Sequence, residues 1–291
     1  MMTPLPAKVA CVGECMVELR ETAPGTLVRG FGGDTLNTAV YLARLGVAVD
    51  YMTALGDDGW SDEMVAAWVA EGVGTQAVRR VPGRLPGLYV IQTDTAGERQ
   101  FLYWRDSAPA RALFDDGGPS LAGYDVVYFS GITLSLYAAA GRAALFDALA
   151  RVRAAGGRVA FDTNYRARGW PQGDAAPWYL KALGNADIVF ASVEDMAQVF
   201  EDWETTLAGF PDAECVVKMA QPAVRVGGAV VAAPTIGRVV DTTAAGDSFA
   251  AAYLAARLRG STVIAAAEAG HRLAGTVVQY PGAIIPREAM P

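Results

Sequence analysis

Short apolar runs, separated by longer Ala- and Leu-rich stretches, set the rhythm of this chain. Val9-Ala10-Cys11-Val12 is apolar throughout, the pattern of a strand buried on both faces. Residues 35–45 carry helical spacing and stop at Gly46, which suits the left-handed position that ends a helix. Residues 47–52 form the next strand and 62–70 the next helix. Further strands are predicted at 125–129, 158–162, 187–190 and 215–218, with a helix at 141–154. This alternation predicts an α/β fold, with a mainly parallel sheet covered by helices on both faces. Ligands in such sheets sit at the carboxyl ends of the strands.

One region departs from the alternation. Residues 88–93 and 99–105 flank Asp94-Thr95-Ala96-Gly97-Glu98, which predicts a β-hairpin with Gly97 at a left-handed position. Pairing Asp94 with Glu98 sets Tyr89 opposite Tyr103, and period-two alternation adds Arg105 to the face of Tyr103. That face reads either as aromatics packed on a core or, given the arginine, as a wet surface facing an anion. No internal repeat, low-complexity tract or linker interrupts the chain, so residues 1–291 read as a single domain.

Composition narrows the function. Hydrophobic residues make up 52% and charged residues 19%, as in an ordered globular protein. The formal charge is -7 without a basic tail, which argues against nucleic acid and anionic membrane as partners. No apolar stretch approaches the ~20 residues that span a bilayer, and the N-terminus has no signal-like core, so a cytoplasmic location is expected. Cys11, Cys15 and Cys215 have no metal-like or redox spacing and read as reduced thiols. With His271 the only histidine, acid–base chemistry falls to a carboxylate. Lys8, Lys181 and Lys218 are the only lysines, so anion binding must rest on arginines and backbone N–H groups.

Asp241-Thr242-Thr243-Ala244-Ala245-Gly246-Asp247 carries the most chemistry. It follows the β-prone run Arg238-Val239-Val240 and leads into an Ala- and Leu-rich helix at 248–258. Small residues at a strand-to-helix junction leave backbone N–H groups open to phosphate. A carboxylate in the same turn, Asp247, suits a site that must also touch the phosphate acceptor. Taken alone, the heptapeptide also reads as a helix start capped by aspartate. Phe31-Gly32-Gly33-Asp34-Thr35-Leu36-Asn37 opens the first helix, and Asp34 and Asn37 are polar groups for sugar hydroxyls, or a cap with an exposed Asn. Asp162-Thr163-Asn164-Tyr165-Arg166 follows a strand and puts Asp162, Asn164 and Arg166 on one side if extended, or forms a turn with a surface Arg. Ser192-Val193-Glu194-Asp195 offers carboxylates for hydrated magnesium, or an acidic first helical turn. Neither a Walker A sequence nor a G-x-G-x-x-G after the first strand is present.

In order, Gly32-Gly33-x-x-x-Asn37, Asp162-x-Asn164-x-Arg166 and the Asp241–Asp247 heptapeptide resemble the ribokinase-like carbohydrate kinases. Residues 30–38, 84–89 and 282–291 are similar to the branch acting on 2-keto-3-deoxygluconate. The resemblance implies a three-layer α/β/α fold with a small β lid from segments near 14–32 and 86–106. It implies transfer of the γ-phosphoryl group of ATP to the C6 hydroxyl of that sugar acid. Asp247 matches the catalytic base, and Ala244, Ala245 and Gly246 match the anion hole. Gly33, Asp34, Asn37, Tyr89, Tyr103, Arg105 and Arg166 match the sugar-acid site. Lys218, Ser192, Thr243 and Gly246 fall on the nucleotide side. Asn164 and Asp195 match the region that positions hydrated magnesium, and Asp241 and Thr243 a loop that holds a monovalent cation such as potassium. The resemblance implies a dimer paired through the lid strands, and it puts His271 near where relatives bind the nucleotide base, though His271 reads equally as a structural histidine. Asp247, at a helix N-terminus, is expected to stay ionised in the field of the helix dipole. A kinase for a neutral sugar such as fructose or ribose, and a silent sugar-acid-binding protein, are the alternatives. Three departures stand out: Ala244 for the family's first anion-hole glycine, Ser192-x-x-Asp195 for its Asn-x-x-Glu, and Met219-Ala220-Gln221-Pro222 for its glycine-bearing loop.

Overall fold

The computed structural model describes residues 7–23, 25–93, 99–170 and 173–291. The chain begins with β1 (Lys8–Val12), β2 (Met16–Ala23), β3 (Thr26–Gly32), α1 (Asp34–Arg44), β4 (Ala48–Met52), β5 (Ala54–Leu55) and α2 (Gly59–Ala70). It continues through β6 (Arg79–Arg80), β7 (Leu88–Thr93), β8 (Arg99–Trp104), β9 (Val126–Ser130), α3 (Gly131–Leu136), α4 (Ala139–Ala154) and β10 (Arg158–Asp162). Then come α5 (Ala175–Asn185), β11 (Ile188–Ser192), α6 (Val193–Val199), α7 (Trp203–Ala208) and β12 (Glu214–Lys218). The last elements are β13 (Ala223–Val226), β14 (Ala229–Ala232), α8 (Ala245–Leu258) and α9 (Val263–Val277).

Eight strands form the central sheet in the order β14-β13-β12-β11-β10-β9-β1-β4, parallel from β12 to β4 and closed by the antiparallel β13–β14 hairpin. The continuous apolar runs of its strands are explained by burial on both sides. Val9, Cys11, Tyr128 and Phe190 face a core shared with α1, α2, α8 and α9, while Ala10, Val12, Phe129 and Val189 face a second core shared with α3, α4 and α5. The expected three layers are therefore present, with side chains alternating between two cores.

A second sheet, in the order β3-β2-β7-β8, is built from the segments expected to form a lid. Tyr89 lies opposite Tyr103 as the alternation requires, and Met16, Tyr89 and Ile91 make its small core. Arg105 falls one residue past β8. The turn expected at Asp94–Glu98 lies outside the described residues.

Three local expectations change. Helix α2 starts at Gly59, not near residue 62, because Asp58 caps it by accepting from the Trp60 and Ser61 N–H groups. The β-prone Arg238-Val239-Val240 forms no strand. The sheet edge on that side is taken by β13 and β14, so the Val240 and Asp241 N–H groups donate to the Val278 carbonyl instead. Helix α8 thus follows a loop. The Met219–Pro222 segment closes a tight hairpin turn, with Met219 N–H donating to the Ala223 carbonyl at 3.0 Å.

Candidate active site

The carboxyl ends of β1, β9, β10, β11 and β12 meet the N-termini of α1 and α8 in one cleft. Gly33 precedes α1 in extended backbone, and a Cβ there would lie 2.3 Å from the Glu14 carbonyl oxygen, so the approach of the two segments excludes any side chain. Asp34 then enters the cleft, where its Oδ2 accepts from Ser130 Oγ at 2.5 Å and from Asn164 Nδ2 at 2.7 Å. One turn on, Asn37 Nδ2 donates to Asp247 Oδ2 at 2.8 Å. Asn37 therefore holds the carboxylate expected to be the base, and is not among the residues lining the cavity around Arg105 and Arg166.

The turn before α8 is unusual. Ala244 adopts φ 60 and ψ 14, the left-handed region that favours glycine, so the departure from the family's glycine keeps the conformation and accepts the strain. Ala245 and Gly246 open α8 and Asp247 sits in its first turn. A Cβ on Gly246 would lie 3.3 Å from Lys218 Nζ. Lys218 is not free in the cleft: its ammonium lies 3.3 Å from both Asp162 carboxylate oxygens. Ser192 caps α6 through the Asp195 N–H, and Asp195 Oδ2 accepts from Thr163 Oγ1 at 3.1 Å. Arg166 is exposed and reaches within 3.6 Å of Asp195. Asp241 is buried, accepting from the Thr243 N–H and hydroxyl and from the Gly282 N–H.

Burial, with neighbouring carboxylates second, decides the electrostatics. Burial, then the Asp34 charge, pushes the Asp247 carboxyl up to about 8, against the help of Asn37 and Lys218. The expected ionisation by the helix dipole is corrected here: that dipole contributes only about 0.3–1 kcal/mol, less than desolvation and like charge together. Burial also raises Asp34 and Asp195, each with Asp162 adding to the rise. Such an oxygen-rich, anion-crowded site fits a hard cation. Among the described residues no three His, Cys, Asp or Glu side chains form a direct cage.

Three cavities run end to end. The first, about 380 Å³, is lined by Glu14, Asp34, Tyr103, Arg105, Arg111 and Arg166 among others. It shares Tyr103 and Arg166 with a second of about 590 Å³, walled by Asp162, Asn164, Ser192, Asp195, Lys218 and the 242–247 turn. Thr242 joins that to a third, about 480 Å³ and mostly apolar, walled by Pro222, Ala233, Ile236, Val239, His271 and Val278 among others. Another cavity, about 460 Å³, lies at the opposite end of β9 and β10, away from all these groups.

Most residues singled out in the sequence thus converge. Tyr89 lines none of the three cavities; its hydroxyl donates to Glu18 and its ring packs on Tyr103 at 5.8 Å. Arg105 donates to Glu14, a carboxylate only 3% exposed. Sequence reasoning missed Glu14, Ser130, Arg111 and, apart from His271, the lining of the apolar cavity. Glu14 was findable, since it lies two residues past the carboxyl end of the first strand. His271 is buried, with Nε2 3.0 Å from the Val231 carbonyl and its ring against Phe249.

A family model for pfkB family carbohydrate kinases matches residues 6–290. The chain belongs to that family. The pfkB kinases most similar to it include 2-dehydro-3-deoxygluconokinase of Dickeya dadantii, 44% identical over 97% of this chain and 98% of that protein. The same enzyme of Escherichia coli is 43% identical over 98% and 99%. Among solved structures, fructokinase with bound ATP from Xylella fastidiosa superposes with a TM-score of 0.83 at 25% identity, covering 99% and 96% of the two chains. As a pfkB carbohydrate kinase, this protein is an enzyme of the ribokinase-like fold. No helix among the described residues is long and apolar enough to cross a membrane.

Proposed function

We propose that this pfkB kinase transfers the γ-phosphoryl group of ATP to the C6 hydroxyl of 2-dehydro-3-deoxygluconate. The observation that carries this is the position of Asp247: it lies in the small-residue turn that opens α8, and the adjoining cavity is rich in arginine. A neutral sugar has no need of Arg105, Arg111 and Arg166 in one cavity, whereas a carboxylate is suited to their charge and fork geometry. The likeness to the Dickeya and Escherichia enzymes supports the same substrate.

In this reading the sugar acid fills the 380 Å³ cavity with its carboxylate toward Arg105 and Arg166, near Gly33, Asp34 and Tyr103. Its C6 oxygen attacks the γ-phosphorus, the bond to ADP breaks, and the hydroxyl proton passes to Asp247. The raised affinity of Asp247 for a proton suits a late transfer. The Ala244–Gly246 N–H groups, with Lys218, receive the charge gathering on the transferred group. Asn164 and Asp195 would position magnesium, which would supply charge neutralisation to the phosphates. Asp241 and Thr243 would form the loop for a monovalent cation such as potassium. Ser192 and Thr243 flank the phosphates, and the apolar cavity beside His271 receives the base. A cytoplasmic dimer, paired through the lid strands, belongs to the same reading; Leu27, Val28 and Trp104 are exposed on those strands.

Coupled ADP release with 2-dehydro-3-deoxygluconate, with fructose and ribose beside it, tests the proposal. Activity on the sugar acid alone is expected. Activity on a neutral sugar only would transfer the reading to another kinase of this fold, and no activity on any of them would end it.

A further inference from the structure

The sugar-side cavity has walls on two bodies. Tyr103 and Arg105 come from β8 and its end, whereas Arg166 and Gly169 come from the segment after β10. Arg168 spans them. It lies in the 3-10 turn Ala167–Gly169, between the anion-facing Arg166 and the buried Trp170. Trp170 is 3% exposed, packs on Tyr179 at 6.0 Å and lies under the Arg142 guanidinium at 4.5 Å, so the base of the turn is fixed to the main body. From there Arg168 Nη1 donates to the Phe101 carbonyl at 2.8 Å, and its guanidinium stands 5.0 Å from the Tyr103 ring centroid.

Both contacts are to β8, the edge strand of the lid. An edge strand offers carbonyls with no strand partner on its outer side, and Arg168 takes one of them. Arginine can do both at once: its fork donates in plane while its face stacks on an aromatic ring. Arg168 is exposed, so the contact stays in water and is individually weak.

We propose that Arg168 is a positioning residue that latches lid strand β8 to the Asn164–Arg166 segment and so fixes the width of the sugar-acid cavity. The proposal rests on the kinase reading above. It makes the grip on the sugar acid depend on a residue that lines the cavity and spends its hydrogen bond on backbone across it. Uniform binding is then what Arg168 supplies: its loss should raise KM and leave kcat near its original value.

The test compares Arg168→Ala and Arg168→Lys with the wild-type protein by steady-state kinetics and by amide hydrogen exchange of β8 without ligand. Arg168→Ala is expected to raise KM for the sugar acid about 5–20-fold, with kcat within about twofold and KM for ATP unchanged. Exchange at residues 100–104 should rise in the same variant. Arg168→Lys should restore exchange protection in part, since lysine still donates to the Phe101 carbonyl. Unchanged exchange in Arg168→Ala overturns the latch even if KM rises, because the arginine then acts on substrate charge alone. If wild type phosphorylates no sugar acid, the kinase reading fails, and the exchange comparison still decides the latch.

Discussion

At the scale of single residues, Asp247 and Ala244 state opposite relations to their turn. Asp247 is raised in proton affinity by burial and by Asp34, so its base form is populated only as pH climbs toward about 8. For the free enzyme, kcat/KM should therefore increase with pH between about 6 and 9, and a flat profile there would remove Asp247 as the ionising base. Asp247→Asn should lower kcat about 10²–10⁴-fold in the coupled assay while the fold, followed by circular dichroism, is kept. Ala244, by contrast, is a strained left-handed residue. Ala244→Gly removes the Cβ clash and should stabilise the protein by up to about 1 kcal/mol, read as a raised Tm, with glycine's extra unfolded-state entropy offsetting part of the gain. An unchanged or lowered Tm would mean that the turn carries no such strain. The residue types were legible at both positions, but neither property was. A dipole argument for Asp247 considers one helix, whereas Asp34 arrives from the start of α1 and Asp162 from the end of β10.

At the scale of elements, the pair Glu14–Arg105 ties the end of β1 to the end of β8. Glu14 is buried with Oε1 unpartnered, and burial raises its carboxyl while Arg105 opposes the rise. Arg105→Ala strands that carboxylate and should cost about 3–5 kcal/mol at neutral pH, because a buried charge left unpaired is expensive. The sign with pH follows from linkage. A carboxyl whose folded pKa is raised above its unfolded value binds more protons when folded, so stability falls as pH rises from the unfolded value through the folded one. The variant should accordingly unfold more easily at pH 8 than near about pH 5, where urea midpoints would converge on wild type. The hairpin in which Tyr89 meets Tyr103 was legible from period-two alternation. The Arg105 partner was not, since Glu14 is 91 residues away in the chain. The Arg238–Val240 run shows the converse: β propensity is local, but a strand also requires a free sheet edge, and the β13–β14 hairpin occupies it.

At the scale of the whole molecule, the end of the chain is fastened to the catalytic turn by α1. The Tyr41 hydroxyl donates to the Ala283 carbonyl at 2.7 Å and accepts from the Ile285 N–H, Arg44 donates to the Ile285 carbonyl, and Asp241 accepts from the Gly282 N–H. Tyr41 is fully buried, so Tyr41→Phe leaves two backbone groups short of a partner. A loss of about 1–3 kcal/mol in unfolding free energy is expected by urea titration. A loss below about 0.5 kcal/mol would show that those groups find other partners.

What the sequence determined by itself was the set of local properties: strand and helix periods, the two-faced burial of the sheet, the hairpin pairing, and which residue types could handle phosphate and a sugar acid. These follow from nearest neighbours along the chain, where period and backbone preference act. Tertiary structure alone decided which of those residues touch. Asn37 meets Asp247 across 210 residues, and Asp34, Asp162 and Asp247 share one cleft because the N-termini of α1 and α8 meet the carboxyl end of β10 there. Proton affinity, ion pairing and cavity shape depend on that convergence, since charge and desolvation act through space and not along the chain.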